Sequence, residues 1–405
     1  MRRQEIEMTG RRLPPPSTPA PPPPSLEEED LLKILLRLSP LPSSLPRASA
    51  VCTRWRRLIS DPDFFRRFRL HHRPNPPLLG FFVADEVRRL LGFGSLMGAP
   101  NRFPIKRFNM KGKEGSQMLS CRHGLVLIFL GVEYQFLVWD PVTGVRHFID
   151  PPPARTLCAR VNGAVLRDAR VDGDFKVVLV AVEGSRAIAC VYSSKTRDWG
   201  NLVSTMLPPK ASMGSPPAMN FSKMHSLLGG DSLYWLLSDR PTSLTEAFSH
   251  ASCPSSILEF DVERESLTVE RVPDLHHTKD HDISVITEMG GGLGLLTLSG
   301  CNAHFWRRNS EHDDDTSWVL GRTIELDNLL SLNPQKDAGH IFIEGFAEYN
   351  HVVVLSTPSS LYTVQFEPLE VKKLHNVGSQ YHAFESVCTT GNGGQPDAAD
   401  VPQNA

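Results

Sequence analysis

Cysteine is scarce in this 405-residue chain. There are seven, at positions 52, 121, 158, 190, 253, 301 and 388, widely spaced and with no Cys-x-x-Cys pair. An odd, scattered set argues against a disulfide framework and against a zinc module. Reduced, mostly buried thiols in the cytosol or nucleus are expected instead. Long apolar runs are also missing. Without a stretch of about 18 apolar residues, no membrane span is expected. The N-terminus lacks the apolar core of a secretory signal. No Gly-x-Ser-x-Gly occurs, and no pair of carboxylates stands out for glycoside chemistry.

Features that imitate active sites fail on their own chemistry. Gly290-Gly291-Gly292-Leu293-Gly294 is followed by the strand-like Leu-Leu-Thr-Leu and not by a helix, so it reads as a β-turn and not as a phosphate cradle. His276, His277 and His281 lie in a polar stretch with no regular ligand spacing. Glu311-His312-Asp313-Asp314-Asp315 lacks the spaced ligands and turn glycine of an EF-hand. No metal, cofactor or catalytic residue is expected.

Charge is unevenly spread. Residues 1–75 hold 14 basic and 8 acidic side chains, and the remainder 29 and 37. Arg54, Arg56, Arg57, Arg66, Arg67 and Arg69 make most of the positive excess. They read as a solvated helix face, or as a surface for an acidic protein partner rather than for nucleic acid.

That face belongs to residues 25–69, where apolar side chains recur at helical spacing. Ser25 and Glu28 suggest a capping box, with acidic residues filling the first turn. Leu31, Ile34, Leu35 and Leu38 form one stripe, and Leu32 and Leu36 a second. Ser44 is the expected N-cap of a second helix carrying Ala48, Val51, Cys52, Trp55, Leu58 and Ile59. Asp61-Pro62 starts a third, whose apolar side is Phe64, Phe65 and Phe68. A helix apolar on two faces must be covered on both, and about 45 residues rarely do that unaided. Docking on a partner is implied. A helical hairpin within a larger core is the alternative.

The three elements Glu28–Leu38, Ser44–Ile59 and Ser60–Phe68 resemble an F-box, the motif that binds a Skp-family adaptor in Skp–cullin–F-box ubiquitin ligases. The Val51-Cys52…Trp55-Arg56-Arg57-Leu58-Ile59 cluster is its most specific part. One departure is Glu27 after Leu26, where the family usually has proline. The resemblance implies adaptor contact through Leu26, Leu31, Ile34, Leu35, Leu38, Leu45, Val51, Cys52, Trp55, Leu58 and Ile59, some of which must face the module's own core.

Beyond the proline-rich 73–77, helical periodicity gives way to short strands, at 126–130, 136–140, 175–182, 187–193, 232–237, 257–262, 293–298, 352–356 and 361–367. A sandwich, barrel or propeller follows. A strand–turn–strand unit with an aromatic anchor recurs at Trp139, Tyr192, Phe260, Trp306 and Phe366, spaced 53, 68, 46 and 60 residues apart. That is near the kelch period of about 50. Glycine-rich turns (Cys121–Ile128, Gly229–Leu237, Gly290–Leu298) precede the matching strands. The pattern resembles the kelch-like region of plant F-box proteins. Five units are visible, and residues 78–120 offer part of a sixth; a non-repeating β-sandwich is the alternative.

The expected organisation is multidomain α+β. It comprises a disordered proline-rich leader (1–24), a three-helix F-box (25–73), an all-β, kelch-like β-propeller domain (74–388) and a disordered tail (389–405). The expected role is a non-catalytic subunit that recognises a protein substrate for ubiquitin-dependent degradation, bound through the Skp-family adaptor to cullin. Substrate-binding residues are not readable; the loops 306–318 and 239–256 are the longest candidates. An F-box scaffold without ubiquitin transfer, and a propeller enzyme with a vestigial F-box, are the rival readings.

Overall fold

The computed structural model describes residues 26–85, 90–102, 108–111, 115–153, 161–168, 173–208, 220–221, 225–238, 255–272, 282–288, 291–309, 317–332, 341–374 and 381–387. The leader, the tail, both histidine and acidic stretches and the tips of the two candidate loops lie outside these residues.

The first unit holds four helices: α1 (Glu28–Leu36), α2 (Ser44–Ser49), α3 (Thr53–Ile59) and α4 (Pro62–His72). Sequence periodicity joined α2 and α3 into one. The stripe continues in phase, but the backbone does not. Ala50 and Val51 close the last turn of α2 onto Arg47 and Ala48. Cys52 then swings to an extended conformation (φ −160°, ψ 168°) and opens α3. The expected caps fare unevenly. Asp61 caps α4 through Asp63 N, with Pro62 in the first turn. At α2, however, Ser43 precedes the helix, and its hydroxyl donates to Asn101 Oδ1 at 2.7 Å. At α1 the N-cap is Glu27, without a side-chain cap, and Ser25 of the expected capping box lies outside the described residues. Leu31, Leu35, Leu45, Ala48, Leu58, Ile59, Phe64 and Phe68 form the core of this unit, joined by Val387 from the far end of the chain.

The rest is a six-blade propeller. After β1 (Leu78–Asp85), β2 (Leu90–Ser95) and β3 (Met110–Lys111) come five blades in chain order. Blade 1 is β4 (Gln117–Arg122), β5 (Leu125–Leu130), β6 (Gln135–Trp139) and β7 (Arg146–Ile149). Blade 2 is β8 (Val161–Arg167), β9 (Phe175–Glu183) and β10 (Arg186–Ser193), with β11 (Asp198–Trp199) and β12 (Val203–Met206) sharing the outer edge. Blade 3 is β13 (Asn220–Phe221), β14 (Leu227–Gly229), β15 (Ser232–Ser238), β16 (Ser255–Asp261) and β17 (Ser266–Arg271). Blade 4 is β18 (Asp282–Thr287), β19 (Leu293–Ser299), β20 (Asn302–Asn309) and β21 (Ser317–Glu325), followed by the short α5 (Leu326–Leu329). Blade 5 is β22 (Phe342–Ala347), β23 (Val352–Ser356), β24 (Leu361–Phe366) and β25 (Leu369–Leu374). The last strand, β26 (Tyr381–Glu385), returns to pair with β1 as the inner strand of blade 6. It lies against β22 on one side and β4 on the other, which closes the ring.

This topology excludes the sandwich and explains the apolar strands. Val126, Ile128, Leu137 and Trp139 of blade 1 pack on blade 6, while Leu125, Leu127, Phe136 and Val138 pack on blade 2. A blade buried on both faces reads as a continuous apolar run, not as an alternating one. The closure itself is aromatic: Phe82 sits 4.9 Å from Phe93, 5.4 Å from Phe384 and 5.8 Å from Trp139, ring to ring.

The repeat seen in the sequence is the outer hairpin of each blade. Asp140 Oδ1 accepts from the amides of Val142 and Thr143, and Asp261 Oδ1 from those of Glu263 and Arg264. Such an aspartate mimics a backbone turn. The glycine-rich segments are the inner turns, with Gly124, Gly230 and Gly291 at positive φ. Gly291 sits in a hairpin in which its amide donates to Glu288 O, as expected of a turn.

Candidate adaptor-docking surface and propeller axis

The eleven residues singled out in the helical unit divide into three groups. Leu31, Leu35, Leu45, Leu58 and Ile59 are buried in its core. Leu38 and Trp55 are half-buried against that core. Leu26, Ile34, Val51 and Cys52 are exposed, with Leu26 at 53%, Ile34 at 45% and Val51 at 64%. Arg54 Nη2 donates to Leu26 O at 2.8 Å, and Arg57 pairs with Glu28 at 2.9 Å, so α3 holds the start of α1. Exposed aliphatic side chains over a filled core are what a protein partner buries.

The antiparallel course of each blade puts its first and third turns at one end of the propeller and its second turn and outgoing connection at the other. The helical unit enters at Leu78, and among the described residues its hydrogen bonds reach the first end. Ser43 bonds Asn101, Pro76 O accepts from Asn350 Nδ2 at 3.0 Å, and Pro77 O accepts from Ser386 N. The two loops that looked alike in sequence therefore belong to opposite ends. The strand ends that flank the first, Asn309 and Ser317, are on the helical side, and those that flank the second, Ser238 and Ser255, are on the free side.

The helical-side mouth of the axis is filled by polar residues that sequence reading missed. Arg122, the last residue of β4, is buried. Its guanidinium forms a two-pronged pair with Glu348 and donates to Ser226 O at 2.7 Å. Glu385 accepts from the amides of Tyr349 and Asn350 and from Asn350 Nδ2. Burial pushes its carboxyl up to about 7, despite those donors. His225 and His382 stack with centroids 3.5 Å apart; burial brings His225 down to about 4 and holds His382 well below the ordinary range. Burial likewise drives the Cys121 thiol well up. Such groups are neutral or paired, and the cavity among them, about 30 Å³, suits one or two waters. Among the described residues no cluster of His, Cys, Asp and Glu is placed to hold a metal ion. The only signal in the sequence was the Cys-Arg-His-Gly turn, which announced its glycine but not its buried arginine.

The F-box-like family matches residues 28–71, covering α1 to α4. This segment is an F-box-like domain. Such domains generally bind Skp-type adaptors and are typically non-catalytic. No curated protein sequence matches the chain. Among solved structures it is similar to a luciferin-regenerating enzyme, at 8% identity over 65% of this chain and 76% of that one, TM-score 0.35. It is similar to the Dos1 propeller at 10% identity over 72% and 66%, TM-score 0.34. It is also similar to hydrazine synthase of Kuenenia stuttgartiensis, at 8% over 72% and 78%, TM-score 0.39. At these scores the likenesses add nothing to the topology read from strand pairing.

Proposed function

We propose that this chain is the substrate-recognition subunit of a Skp–cullin–F-box ubiquitin ligase. The observation that carries the reading is the exposed set Leu26, Ile34, Val51 and Cys52 on an F-box-like domain whose core is otherwise complete. These four, with Leu38 and Trp55, form the adaptor contact; Leu31, Leu35, Leu45, Leu58 and Ile59 support it from beneath. Missing proline after Leu26 removes preorganisation of the helix start and leaves the apolar contact in place.

The propeller binds the substrate protein. Its helical-side end is partly covered, so the free end, with the β15–β16 connection, is the recognition surface. Loops on a rigid scaffold suit that role. Catalysis belongs to other subunits: tethering raises the effective concentration of a substrate lysine beside the conjugating enzyme. The spacing of the hairpin anchors supports a kelch-like domain of the plant F-box type, and the scattered cysteines support the cytosol or nucleus.

The test is capture of the full chain with a Skp-family adaptor and cullin. Both co-purify stoichiometrically on this reading. Adaptor without cullin would replace it with an F-box scaffold, and capture of neither would overturn it.

A further inference from the structure

Arg73 follows α4 and opens the proline-rich junction. It is half-buried, and the partners of its guanidinium belong to the propeller. Nη1 donates to Asp168 O at 2.8 Å, and Nη2 donates to Arg167 O and to His123 Nδ1, the latter at 3.2 Å. Both carbonyls lie where the inner strand of blade 2 ends, and His123 sits in the first turn of blade 1.

His123 is pinned as a bridge. The Arg167 amide also donates to its Nδ1, at 3.2 Å. Two donors converge on that nitrogen, so it is the acceptor and the ring proton sits on Nε2. Nε2–H then donates to Tyr349 Oη at 2.8 Å, in the first turn of blade 5. Burial, with Arg73, Arg122 and Arg167 nearby, keeps the ring neutral. The next residue, Asn350, returns to the junction by donating to Pro76 O. One hydrogen-bonded circuit thus runs from the end of α4 through blades 1, 2 and 5 and back to the chain leaving the F-box.

We propose that Arg73 is a positioning residue that locks the F-box onto the propeller at one angle, with His123 as its obligatory Nε2–H bridge. The inference rests on the adaptor reading above: a fixed separation between the adaptor site and the substrate end raises the effective concentration of a substrate lysine beside the conjugating enzyme. A guanidinium presents donors in a rigid planar fork and serves three acceptors at once. Lysine presents a point charge whose pKa falls on burial, so it does not restore the lock. The Ser43–Asn101 bonds and the Val387 contact hold the F-box against the propeller at separate points.

The test uses the full chain with spin labels on a noncanonical keto amino acid at Ser60 and at Val132. Both are exposed, the first on the F-box and the second at the free end of blade 1. Pulsed dipolar spectroscopy of the wild type gives one narrow distance distribution. Arg73→Ala and Arg73→Lys each broaden it about twofold or more, while adaptor capture is retained. An unchanged width in Arg73→Ala overturns the lock. Should that variant fail to fold, an unchanged width in Arg73→Lys does so. Failure of the wild type to capture adaptor would sink the functional reading, and the widths would still decide the lock.

Discussion

Ile34 and Val51 of the F-box stand 45% and 64% exposed, while Val126, Leu127 and Val138 in blade 1 are fully buried. These are similar side chains in similar density along the sequence. The propeller has a neighbouring blade for each face of its inner strands, so their apolar residues are consumed internally, whereas its exposed ones, such as Val132, Phe148 and Leu369, lie on turns and outer strands. The F-box has one small core and a propeller contact at Val387, which leaves a residue of aliphatic surface for a partner. In a unit this small, aliphatic side chains left exposed beside a filled core point to docking, whereas in the propeller the exposed ones are scattered along its rim.

The largest effect that would sharpen this contrast lies at the propeller axis. Arg122→Ala strands Glu348 beside the buried Glu385 and should lower stability by about 3–5 kcal/mol, read from the denaturant midpoint of the β-signal. A loss below about 1 kcal/mol would mean that the pair is solvated. Next comes Leu35→Ala, which removes a fully buried side chain from the F-box core and should cost about 2–5 kcal/mol locally. Hydrogen exchange should accelerate across α1 to α4 and leave β5 and β6 protected. Equal acceleration in both regions would show one cooperative unit where two are described.

Acid tests the same axis more gently. Glu385 has a folded pKa of about 7 against an ordinary 4.5, so its contribution is present below pH 4.5 and lost as pH rises through 7. His225, at about 4 against 6.5, contributes above pH 6.5 and loses that contribution as pH falls towards 4. His123 and His382 are shifted in the same direction as His225. Three histidines outweigh one carboxyl, so stability should fall from pH 6.5 to 5. Glu385→Gln removes the opposing contribution and should steepen the fall in thermal midpoint; a shallower fall would contradict the assignment. At the small end, Arg57→Ala breaks an exposed pair with Glu28 and should change stability by no more than about 0.5 kcal/mol.

The contrast also governs what could be read from the chain before folding. Strands such as Leu125–Leu130 and Val352–Ser356 were legible because burial on both sides makes them unbroken apolar runs. The β6–β7 and β16–β17 hairpins were legible because Asp140 and Asp261 carry turn chemistry locally. By contrast, β26 pairs with β1 from the opposite end of the propeller sequence, Phe384 with Gly80, and nothing in Tyr-His-Ala-Phe-Glu announces so distant a partner. The axis was hidden for the same reason: Arg122 and Glu348 are 226 residues apart. In the F-box, periodicity marked the apolar stripe but not the break at Cys52, whose extended backbone ends one helix and leaves Val51 and Cys52 exposed between buried Ala48 and Leu58. Nor did the stripe separate Leu35 from Ile34, since adjacent positions on a short helix differ only by what packs against them.

That last pair gives the most direct measurement: titration of the full chain with a Skp-family adaptor by calorimetry, comparing wild type with Ile34→Asp, Val51→Asp. If the exposed residues are the docking surface, the double variant loses affinity by roughly 100-fold or more with its thermal unfolding unchanged. Unaltered affinity in a folded double variant would contradict the account, because the surplus apolar surface would then have no role in holding the adaptor.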